Sequence, residues 1–415
     1  MLQAALASGA AHRKSTFEVF ARRLPEGRRY GVVAGTGRFL DALADFRFGD
    51  AEIEFLRSRK VVDDETLQWL ADYRFSGDIT GYAEGDIYFP YSPVLIVESS
   101  FAEGVLLETL ALSIFNHDSA IASAASRMTW AANDRPCIEM GSRRTQEESA
   151  VASARAAYLA GFATSSNLEA GRRYGVPTAG TSAHAFTLLH ETERDAFQAQ
   201  VNSLGRGTAL LVDTYDIAEA VRVAVEVAGP ELGAVRIDSG DLGLLAHRVR
   251  EQLDSLGAEH TRILVTSDLD EYAIAALAAA PVDGYGVGTQ VVTGSGAPTS
   301  GFVYKLVARA DDNGEMVSVA KKSQDKSSVG GRKFAMRQRN CDGVAEAELV
   351  GIGEPPDNDG DDRFLMVDLV RGGERIDHTS LDEARAHHLR SRGELPLAAR
   401  MLLKGEPVLQ TRHLR

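Results

Sequence analysis

The chain has 415 residues, 44% of them hydrophobic and 25% charged, which is typical of a globular protein with room for two or three domains. Its formal net charge of -14 argues against a general nucleic-acid-binding surface, because binding to a phosphate backbone requires a basic face. Two cysteines are too few for a disulfide framework, and neither a long apolar run nor a secretory signal pattern occurs, so we expect a cytoplasmic protein that does not bind membranes.

Residues 1–105 are predicted to form an α+β N-terminal domain. Short alternating runs predict its strands: "STFEVFARRLP", "RRYGVVAG" and "GYAEGDIYFPYSPVLIVESS". The segments "DAEIEFLRSR" and "DDETLQWLADY" predict helices. We interpret Asp63 and Asp64 as residues that begin the second helix, because acidic side chains there complement the helix dipole.

Residues 106–320 are predicted to form an α/β domain that begins with helices. The segment "EGVLLETLALSIFNHDSAIASAASRMTWAA" predicts one or two of them, and "SAVASARAAYLAGF" predicts another that starts after Thr145. Thr145 and Glu148 fit an S/T-x-x-E capping box. Just ahead of that helix, "GSRR" supplies Arg143 and Arg144, whose guanidinium groups suit bidentate binding of phosphate or carboxylate.

A repeated unit of strand, polar tip and helix runs from about Thr178 to Thr293. The strands "GTALLVDT", "GAVRIDSGD", "TRILVTSD" and "VDGYGVGT" recur roughly every 20 to 30 residues, which indicates parallel strands joined by crossover helices, as in α/β barrels and open parallel sheets. Their polar or glycine-bearing tips are predicted to share one edge, where such folds build their sites. These tips carry Asp213, Asp238, Asp241, Ser267, Asp268, Gly286 and Gly288.

The chemistry of these tips favours an anionic, ribose-bearing substrate that is associated with Mg²⁺. Gly286-Val287-Gly288-Thr289 offers backbone N–H groups to an anion. Arg236, Asp238 and Asp241 of "RIDSGD" suit ribose hydroxyls or Mg²⁺. The alternative is that these aspartates and glycines are ordinary helix caps and turn residues.

His184 lies in "GTSAHAF", between the extended run "VPTA" and the segment "AFTLLHETERDAFQAQ", which predicts a long helix. In the first turn of such a helix the backbone dipole favours a neutral imidazole and would then stabilise a bound phosphoryl group. The alternative is a histidine that fills a pocket without reacting.

Residues 321–415 are predicted to form a basic loop and a C-terminal subdomain that packs back on the N-terminal domain. The stretch from "YKLVARA" to "AKKSQDKSSVGGRKFAMRQR" concentrates positive charge in an acidic chain. A solvated charge run is the alternative to a phosphate-binding function. The basic residues are Lys305, Lys321, Lys322, Lys326, Arg332 and Lys333.

Together these segments resemble the nicotinate phosphoribosyltransferase family, of the type II phosphoribosyltransferase class. The resemblance rests on ten blocks in the family's order between about Phe17 and Lys333: "FEVFARRLP", "VESSFAEGVLLETLALSIFN", "GSRRTQ", "AYLAGFATSSNLEAG", "GVPTAGTSAHAF", "VDTYD", "RIDSGDL", "GYGVGTQVVT", "YKLV" and "KKSQDKSSVGGRK". Motifs of serine hydrolases, zinc proteases, P-loop ATPases and thioredoxins are absent, and none of the four strands has a Schiff-base lysine.

The resemblance implies an incomplete or irregular α/β barrel, an α+β N-terminal domain and a small C-terminal subdomain. It also implies that nicotinate and PRPP react to give nicotinate mononucleotide and pyrophosphate, the first step of NAD salvage from nicotinate. ATP hydrolysis would drive the reaction through transient phosphorylation of His184. A homodimer with composite active sites is implied as well.

The resemblance assigns roles to individual residues. Arg143 and Arg236 would flank the pyridine ring and its carboxylate, and Asp238 would bind the ribose hydroxyls as a catalytic residue. Met140, which stands where relatives carry phenylalanine, would pack on the ring. The remaining assignments are Thr181 and Ser239 to substrate, Gly286, Gly288 and Thr289 to the 5′-phosphate, Lys321, Lys322, Lys326 and Arg332 to the phosphates of ATP and pyrophosphate, and Asp241 to Mg²⁺.

Two alternatives stay open. Nicotinamide-using relatives carry an acidic residue near the stretch that reads Thr164-Ser165-Ser166-Asn167 here, and its absence favours nicotinate over nicotinamide. The family usually begins with a D-x-Y-x-L-T-M segment, and this chain begins at the position of its final methionine. The second alternative is therefore a catalytically weakened relative that binds pyridine nucleotides without the tyrosine of that segment.

Overall fold

The structure is a computed structural model and describes residues 1–321 and 328–414. The chain forms two compact units. Unit 1 comprises Met1–Ala120 and Thr299–Arg415, and unit 2 comprises Ile121–Pro298. The sequence suggested divisions after residues 105 and 320. Among the helices of the described residues, none combines the length and the apolar character that a membrane span requires.

Unit 1 begins with helices and short strands. In chain order these are α1 (Leu2–Ala7), β1 (Lys14–Ala21), β2 (Gly31–Val32), α2 (Thr36–Asp45), α3 (Asp50–Ser58), α4 (Asp64–Ala71), β3 (Asp78–Tyr82), β4 (Ile87–Tyr88) and β5 (Leu95–Ser100). Asp63 caps α4, since its side chain accepts a hydrogen bond from the Thr66 amide at 2.9 Å, so its interpretation as a helix-start residue is confirmed. One continuous helix, α5 (Phe101–Ala132), then leads from unit 1 into unit 2.

Unit 2 contains the α/β repeat. Its elements are β6 (Cys137–Glu139), α6 (Glu147–Leu159), β7 (Thr164–Ser165), α7 (Leu168–Tyr174), α8 (His184–Leu189), α9 (Glu193–Leu204), β8 (Ala209–Leu211), α10 (Ile217–Ala228), β9 (Ala234–Ile237), α11 (Leu242–Ser255), β10 (Arg262–Ser267), α12 (Glu271–Ala276), β11 (Gly284–Val287) and α13 (Thr289–Val292). The chain then returns to unit 1 with β12 (Phe302–Ala310), β13 (Met316–Ser318), β14 (Lys333–Arg339), β15 (Ala345–Ile352), β16 (Arg363–Phe364), β17 (Met366–Arg371), β18 (Glu374–Arg375), α14 (Leu381–Gly393) and β19 (Thr411–Leu414).

The sheet of unit 2 confirms the predicted α/β class. Its six strands lie in the order β7-β6-β11-β10-β9-β8, and every pair is parallel. Apolar side chains such as Val235, Ile237, Ile263 and Val265 are fully buried in the central strands, as parallel strands covered by helices require. Among the described residues no pairing closes β7 onto β8, so the sheet is an incomplete barrel.

Unit 1 is built around a seven-stranded antiparallel sheet in the order β13-β12-β1-β5-β3-β17-β18. Strand β1 lies between β5 and β12, so strands from both ends of the chain form one sheet. A four-stranded sheet, β16-β14-β15-β19, and the small pair β2-β4 complete the unit. The buried core includes Phe17, Val97 and Tyr304.

Two predictions about helices are wrong, one about the length of a helix and one about the residue that caps another. The single long helix expected after His184 is two helices, because His190 is extended and the Thr192 side chain caps α9 by accepting from the Asp195 amide. The capping box predicted at Thr145 is also displaced. Thr145 is extended, and Gln146 caps α6 by accepting from the Ser149 amide at 2.9 Å.

The predicted basic loop is only partly a solvated run. Lys333 is buried in β14, where its Nζ donates to Glu18 and to the Val329 carbonyl at 2.8 Å. Burial raises the pKa of Glu18 to about 7, although the charge of Lys333 lowers it. Arg332 donates from Nε to Glu98 at 3.1 Å and stacks on Phe334, with the guanidinium carbon 3.9 Å from the ring centroid.

Candidate functional site

A polar pocket of 240 Å³ lies at the carboxyl ends of the parallel strands of unit 2. Loops after β6, β9, β10 and β11 supply its walls, as expected for a parallel sheet. The predicted residues Met140, Arg143, Arg236, Asp238, Gly286, Gly288 and Thr289 are therefore brought together. The pocket is lined by Met140, Arg143, Arg144, Arg236, Asp238, Thr266, Ser267, Asp268, Gly286, Gly288 and Thr289.

Arg236 is held in the pocket wall by hydrogen bonds from all three guanidinium nitrogens. Nε donates to Thr266 Oγ1 at 2.9 Å, Nη1 to Thr181 Oγ1 at 2.6 Å, and Nη2 to Asp238 Oδ1 at 2.8 Å. Nη1 also lies 3.3 Å from the Ser182 carbonyl. A guanidinium fixed in this way presents its charge to a ligand in one orientation.

Asp238 follows β9 and carries an ionised carboxylate in the pocket. Burial raises the pKa of this carboxyl, but hydrogen bonds from Thr266 and Arg236 and the positive charges of Arg236 and His184 outweigh it, so the pKa is lowered overall. The carboxylate thus accepts hydrogen bonds at neutral pH. It can receive the hydroxyls of a ribose.

Asp213, at the tip after β8, joins two parts of the site. Its Oδ2 accepts from the Asp238 amide at 2.9 Å and from Ser239 Oγ at 2.7 Å, so it holds the loop that carries Asp238. Its Oδ1 is buried and has no hydrogen-bond partner among the described residues. This oxygen lies 3.8 Å from His184 Nε2.

His184 begins the short helix α8 and remains open to solvent, with 41% of its side chain exposed. Its Nδ1 lies 3.1 Å from Thr214 Oγ1, on the opposite side of the ring from Asp213. The histidine therefore lies between a hydroxyl and a buried carboxylate, rather than at the start of the long helix that was predicted. Such an environment orients the ring, with a polar neighbour at each ring nitrogen.

Gln200 of α9 fixes the loop that carries His184. Its Oε1 accepts from Ser182 Oγ, and its Nε2 donates to Thr208 Oγ1 at 2.8 Å and to the Ala209 carbonyl at 2.9 Å. Sequence patterns did not single out Gln200, because an isolated glutamine on an amphipathic helix carries no distinguishing signal.

Glu139 fixes the loop that carries the arginines. It is buried at the end of β6, where Oε1 accepts from the Gly141 amide at 2.5 Å and Oε2 from Ser165 Oγ at 2.5 Å. Burial raises the pKa of Glu139, and the two hydrogen bonds oppose that shift. The carboxylate in "CIEM" was a signal for this residue, since an acid in a short buried strand requires partners.

Arg143 and Arg144 lie on the 3₁₀ turn Ser142–Arg144, and both are exposed at the pocket. Neither guanidinium forms an ion pair within residues 1–321 and 328–414. Asn167 braces this turn, because its Nδ2 donates to Ser142 Oγ at 3.0 Å while its Oδ1 caps α7. Two unpaired guanidiniums next to Arg236 make this wall of the pocket suited to an anionic ligand.

Gly286 and Gly288 have different reasons for lacking a side chain. A Cβ at Gly286 would lie 2.4 Å from Thr266 Cγ2 and 2.9 Å from Met140 Sδ, so this glycine permits close packing. A Cβ at Gly288 would meet nothing nearer than the Met140 carbonyl oxygen at 3.4 Å, so there the glycine leaves backbone open to the pocket. Thr289 follows it at the start of α13.

The remaining predicted residues lie outside the pocket lining. Asp241 caps α11, with Oδ1 accepting from the Leu244 amide at 3.0 Å. Lys321 is exposed in unit 1, and Lys322 and Lys326 lie outside the described residues. No group of three or more His, Cys, Asp or Glu side chains in the described ranges is arranged to hold a metal ion. The magnesium role of Asp241 and the phosphate role of the lysines stay predictions.

Comparison with known proteins identifies the family. A model of the nicotinate phosphoribosyltransferase N-terminal domain matches residues 1–116, and the nicotinate phosphoribosyltransferase family model matches residues 136–341. Nicotinate phosphoribosyltransferase pncB1 of Mycobacterium tuberculosis is 58% identical over 99% of this chain and 92% of its own length. The Bacillus subtilis nicotinate phosphoribosyltransferase is 34% identical over 85% of this chain and 74% of its own.

The fold agrees with that relationship. The crystal structure of human nicotinic acid phosphoribosyltransferase superposes with a TM-score of 0.85 at 26% identity, covering 100% of this chain and 96% of the human one. The chain belongs to the nicotinate phosphoribosyltransferase family of enzymes.

Proposed function

We propose that this enzyme transfers the phosphoribosyl group of PRPP to nicotinate and couples the transfer to ATP hydrolysis through His184. The products are nicotinate mononucleotide and pyrophosphate, with ADP and phosphate from ATP. One observation carries the proposal: Asp213 faces His184 with one carboxylate oxygen and holds the Asp238 loop of an arginine-rich pocket with the other.

The glycosyl transfer requires positioning and charge more than covalent chemistry. The pyridine nitrogen of nicotinate bonds to C1′ of PRPP while the bond from C1′ to the pyrophosphate oxygen breaks, and the electron pair leaves with pyrophosphate. Arg143, Arg144 and Arg236 supply positive charge to the nicotinate carboxylate and to the phosphates. Asp238 would hold the ribose hydroxyls as positive charge develops at C1′.

The phosphoryl step depends on the different neighbours of the two ring nitrogens of His184. The nitrogen that faces Asp213, Nε2, keeps its proton and directs it toward Oδ1. The other nitrogen, Nδ1, gives up its hydrogen bond from Thr214 and attacks the γ-phosphorus of ATP. The bond to the β-phosphate oxygen breaks, and ADP leaves. Water later attacks the phosphohistidine, returns the lone pair to the ring and releases phosphate. The buried Asp213 carboxylate would stabilise the imidazolium character that develops during attack.

Magnesium would enter this site with the phosphates of its substrates. Mg²⁺ keeps much of its water and is bound through one or two carboxylates plus substrate phosphates in most phosphoryl-transfer sites. Asp241 is the predicted protein ligand, and its Oδ2 remains available, since the helix cap uses Oδ1. When bound, the ion would neutralise charge on the departing pyrophosphate.

The pocket favours nicotinate over nicotinamide. Thr164, Ser165, Ser166 and Asn167 carry no charge, and the Asn167 side chain is committed to Ser142 and to the cap of α7. The nearby acid, Glu139, is 1% exposed, and both of its oxygens are hydrogen-bonded. Beside Arg143 and Arg144, a substrate carboxylate thus meets no free carboxylate oxygen from this stretch or from Glu139.

A product assay tests the proposal. The purified chain is incubated with PRPP and either nicotinate or nicotinamide, with and without ATP, and the nucleotide is separated by chromatography. We expect nicotinate mononucleotide, with ATP stimulation. Product from nicotinamide alone would overturn the substrate assignment. Binding of nicotinate mononucleotide without turnover would favour a catalytically weakened relative.

His184→Ala tests the coupling, and His190→Ala is the matched control at the other end of the same short helix. We expect His184→Ala to abolish ATP stimulation while slower ATP-independent transfer remains. His190, whose Nδ1 contacts the Phe186 carbonyl at 2.8 Å, is expected to be replaceable without loss of stimulation. Equal losses with and without ATP in the His184 variant would contradict its assigned role.

We also propose a homodimer in the cytoplasm. Leu188 and Leu189 next to the His184 loop expose 61% and 79% of their surface, and a second copy that completes the site would cover them. Light scattering coupled to size exclusion tests the dimer, and mixing two inactive variants with defects in different parts of the site tests whether the sites are composite. PRPP and ATP are cytoplasmic metabolites, and cell fractionation tests the location.

A further inference from the structure

Arg236 and His184 are connected by a short loop segment that precedes α8. Thr181 Oγ1 accepts from Arg236 Nη1 at 2.6 Å, and the Ser182 carbonyl accepts from the same nitrogen at 3.3 Å. Ala183 is the N-cap residue of α8, and His184 is the first residue of that helix. The two residues that hold the Arg236 guanidinium therefore belong to the same short segment as the histidine.

Gln200 of α9 holds this segment through the Ser182 side chain. Gln200 is 6% exposed, and its Oε1 accepts from Ser182 Oγ. Its Nε2 donates to Thr208 Oγ1 at 2.8 Å and to the Ala209 carbonyl at 2.9 Å, where β8 begins. The oxygen and both N–H groups of the amide are thus in use, and a change of partners would leave buried polar groups unsatisfied. Gln200 therefore ties Ser182 to β8.

Strand β8 leads to Asp213, so this set of connections closes on itself. Asp213 Oδ1 lies 3.8 Å from His184 Nε2, and Asp213 Oδ2 accepts from the Asp238 amide at 2.9 Å. Asp238 Oδ1 in turn accepts from Arg236 Nη2 at 2.8 Å. A displacement of the His184 loop relative to β8 must therefore stretch the hydrogen bonds of Gln200 or move Arg236.

Phosphorylation of His184 would act on this segment. A phosphoryl group carries a charge of about −1.5 to −2 at neutral pH. It would arrive next to the buried Asp213 carboxylate, and like charges this close repel each other. Because Gln200 anchors Ser182 to β8, the loop cannot move as a whole, and the change is passed to the hydrogen bonds that hold Arg236.

We propose that Gln200 is a positioning residue that couples the phosphorylation of His184 to the binding of nicotinate at Arg236, through its hydrogen bond with Ser182. This inference rests on the proposed function, because it takes His184 as the phosphoryl acceptor and Arg236 as the partner of the nicotinate carboxylate. Gln200 lies outside the described lining of the pocket, so it acts through the loop and not on the substrate. Coupling between sites is reciprocal, so bound nicotinate also favours phosphorylation.

Three variants isolate this connection. Gln200→Met fills a similar space and forms none of the three hydrogen bonds of Gln200. Ser182→Ala removes the hydroxyl that Gln200 binds and keeps the carbonyl that Arg236 contacts. Gln198→Met is the matched control, because Gln198 is exposed on the same helix and its Nε2 donates to Asn202 Oδ1 at 2.9 Å.

The measurement is the nicotinate KM at saturating PRPP, with and without ATP. We expect ATP to lower this KM at least about 5-fold in the wild type and in Gln198→Met, the lower end of ordinary coupling between sites. In Gln200→Met, in Ser182→Ala and in the double variant we expect a change of less than about 2-fold, because all three break the same link. A loss of folded enzyme alone would lower the rate equally under both conditions and leave the ratio of the KM values unchanged.

A wild-type KM ratio in Gln200→Met or in Ser182→Ala, or an equal loss of the ratio in Gln198→Met, would overturn the inference. Should Gln200→Met fail to fold, Ser182→Ala decides. If ATP accelerates the wild-type enzyme without changing its nicotinate KM, this inference fails while the proposed function stands. If the wild type forms no nicotinate mononucleotide, or gains nothing from ATP, the proposed function itself fails.

Discussion

Asp213→Asn would remove the negative charge that faces His184 while keeping the shape of the side chain. The amide oxygen can still accept from the Asp238 amide and Ser239 Oγ, which Oδ2 receives at 2.9 Å and 2.7 Å. The amide NH₂ group then takes the place of Oδ1, which lies 3.8 Å from His184 Nε2. The substitution thus changes the surroundings of His184, the proposed phosphoryl acceptor, more than it changes the loop that carries Asp238.

The size of the effect follows from the distance and the exposure of the two groups. Two unit charges 3.8 Å apart interact by about 4 kcal/mol at an effective dielectric constant near 20 and by about 1 kcal/mol in water. The Asp213 side chain is 1% exposed and the His184 side chain 41%, so the interaction lies between these limits. We take about 2 kcal/mol, which corresponds to a roughly 30-fold slower phosphorylation of His184.

The assay measures phosphohistidine directly. Radiolabelled ATP is mixed with the enzyme, the reaction is stopped at short times in base, where phosphohistidine survives, and the label on the protein is counted. The matched control is Thr214→Val, which removes the neutral hydroxyl 3.1 Å from His184 Nδ1 but keeps the charge of Asp213, so we expect it to change the rate by less than about 10-fold. Wild-type labelling in Asp213→Asn, or a larger defect in Thr214→Val, would refute the assigned orientation of the ring.

Further predictions concern packing and buried charge. Gly286→Ala should lower both Tm and activity, because the new Cβ would lie 2.4 Å from a neighbouring side chain. Gly288→Ala introduces no contact below 3.4 Å, so it should keep its Tm and lose only affinity for phosphorylated ligands. Equal Tm values for the two variants would contradict this distinction. Lys333→Met leaves Glu18 buried without its partner and should cost about 3–5 kcal/mol at pH 8. The loss should be smaller at pH 5.5, because burial raises the pKa of Glu18 to about 7 and the carboxyl is then protonated; a pH-independent loss in thermal melts would exclude this explanation. Burial, aided by nearby carboxylates, raises the pKa of Glu193 to about 7. The contribution of this group to the free energy of unfolding is therefore present below pH 4.5 and is lost as the pH rises through 7. The Tm of Glu193→Gln should accordingly rise relative to that of the wild type between about pH 5 and pH 8.

The parallel sheet, and the edge of it at which the pocket lies, could be predicted from the sequence. Both follow from the local pattern of apolar strands with polar residues at their ends. The run "GAVRIDSGD" becomes β9 with Asp238 at its tip, and buried apolar strands at regular spacing allow few other arrangements. The pocket follows from topology, since parallel strands bring their carboxyl ends to one edge. The residues at the ends of these strands were thus correctly predicted to lie close to one another in space.

The helix ends after Leu189 because of a local capping interaction that the pattern of apolar residues does not reveal. "HETERDAF" contains good helix formers, but Thr192 lies three positions before Asp195 and caps a new helix there. The T-x-x-D spacing was a visible signal. At Thr145 the same kind of signal misled, because Gln146 caps α6 instead, with its side chain accepting from the Ser149 amide.

Contacts between residues that lie far apart in the chain could not be predicted from local sequence patterns. Ser182 and Gln200 are 18 positions apart, and His184 and Thr214 are 30 apart, so their contacts exist only after the strands assemble. Lys333 looked like part of a solvated charge run because its partner, Glu18, lies 315 positions away. A buried charged residue can be recognised from the sequence only when its oppositely charged partner is close to it in the chain.

The insertion of unit 2 between the two parts of unit 1 has a consequence for synthesis on the ribosome. Strand β1 can pair with β5 early in synthesis, but its other edge pairs with β12, which is made much later. Arg13, just before β1, pairs with Asp312, just after β12, which is 299 positions later in the chain. At about 5–20 residues per second, those 299 residues take roughly 15–60 s to emerge. During that interval the nascent chain presents an unpaired strand edge, the feature of a β-sheet that most readily recruits another chain.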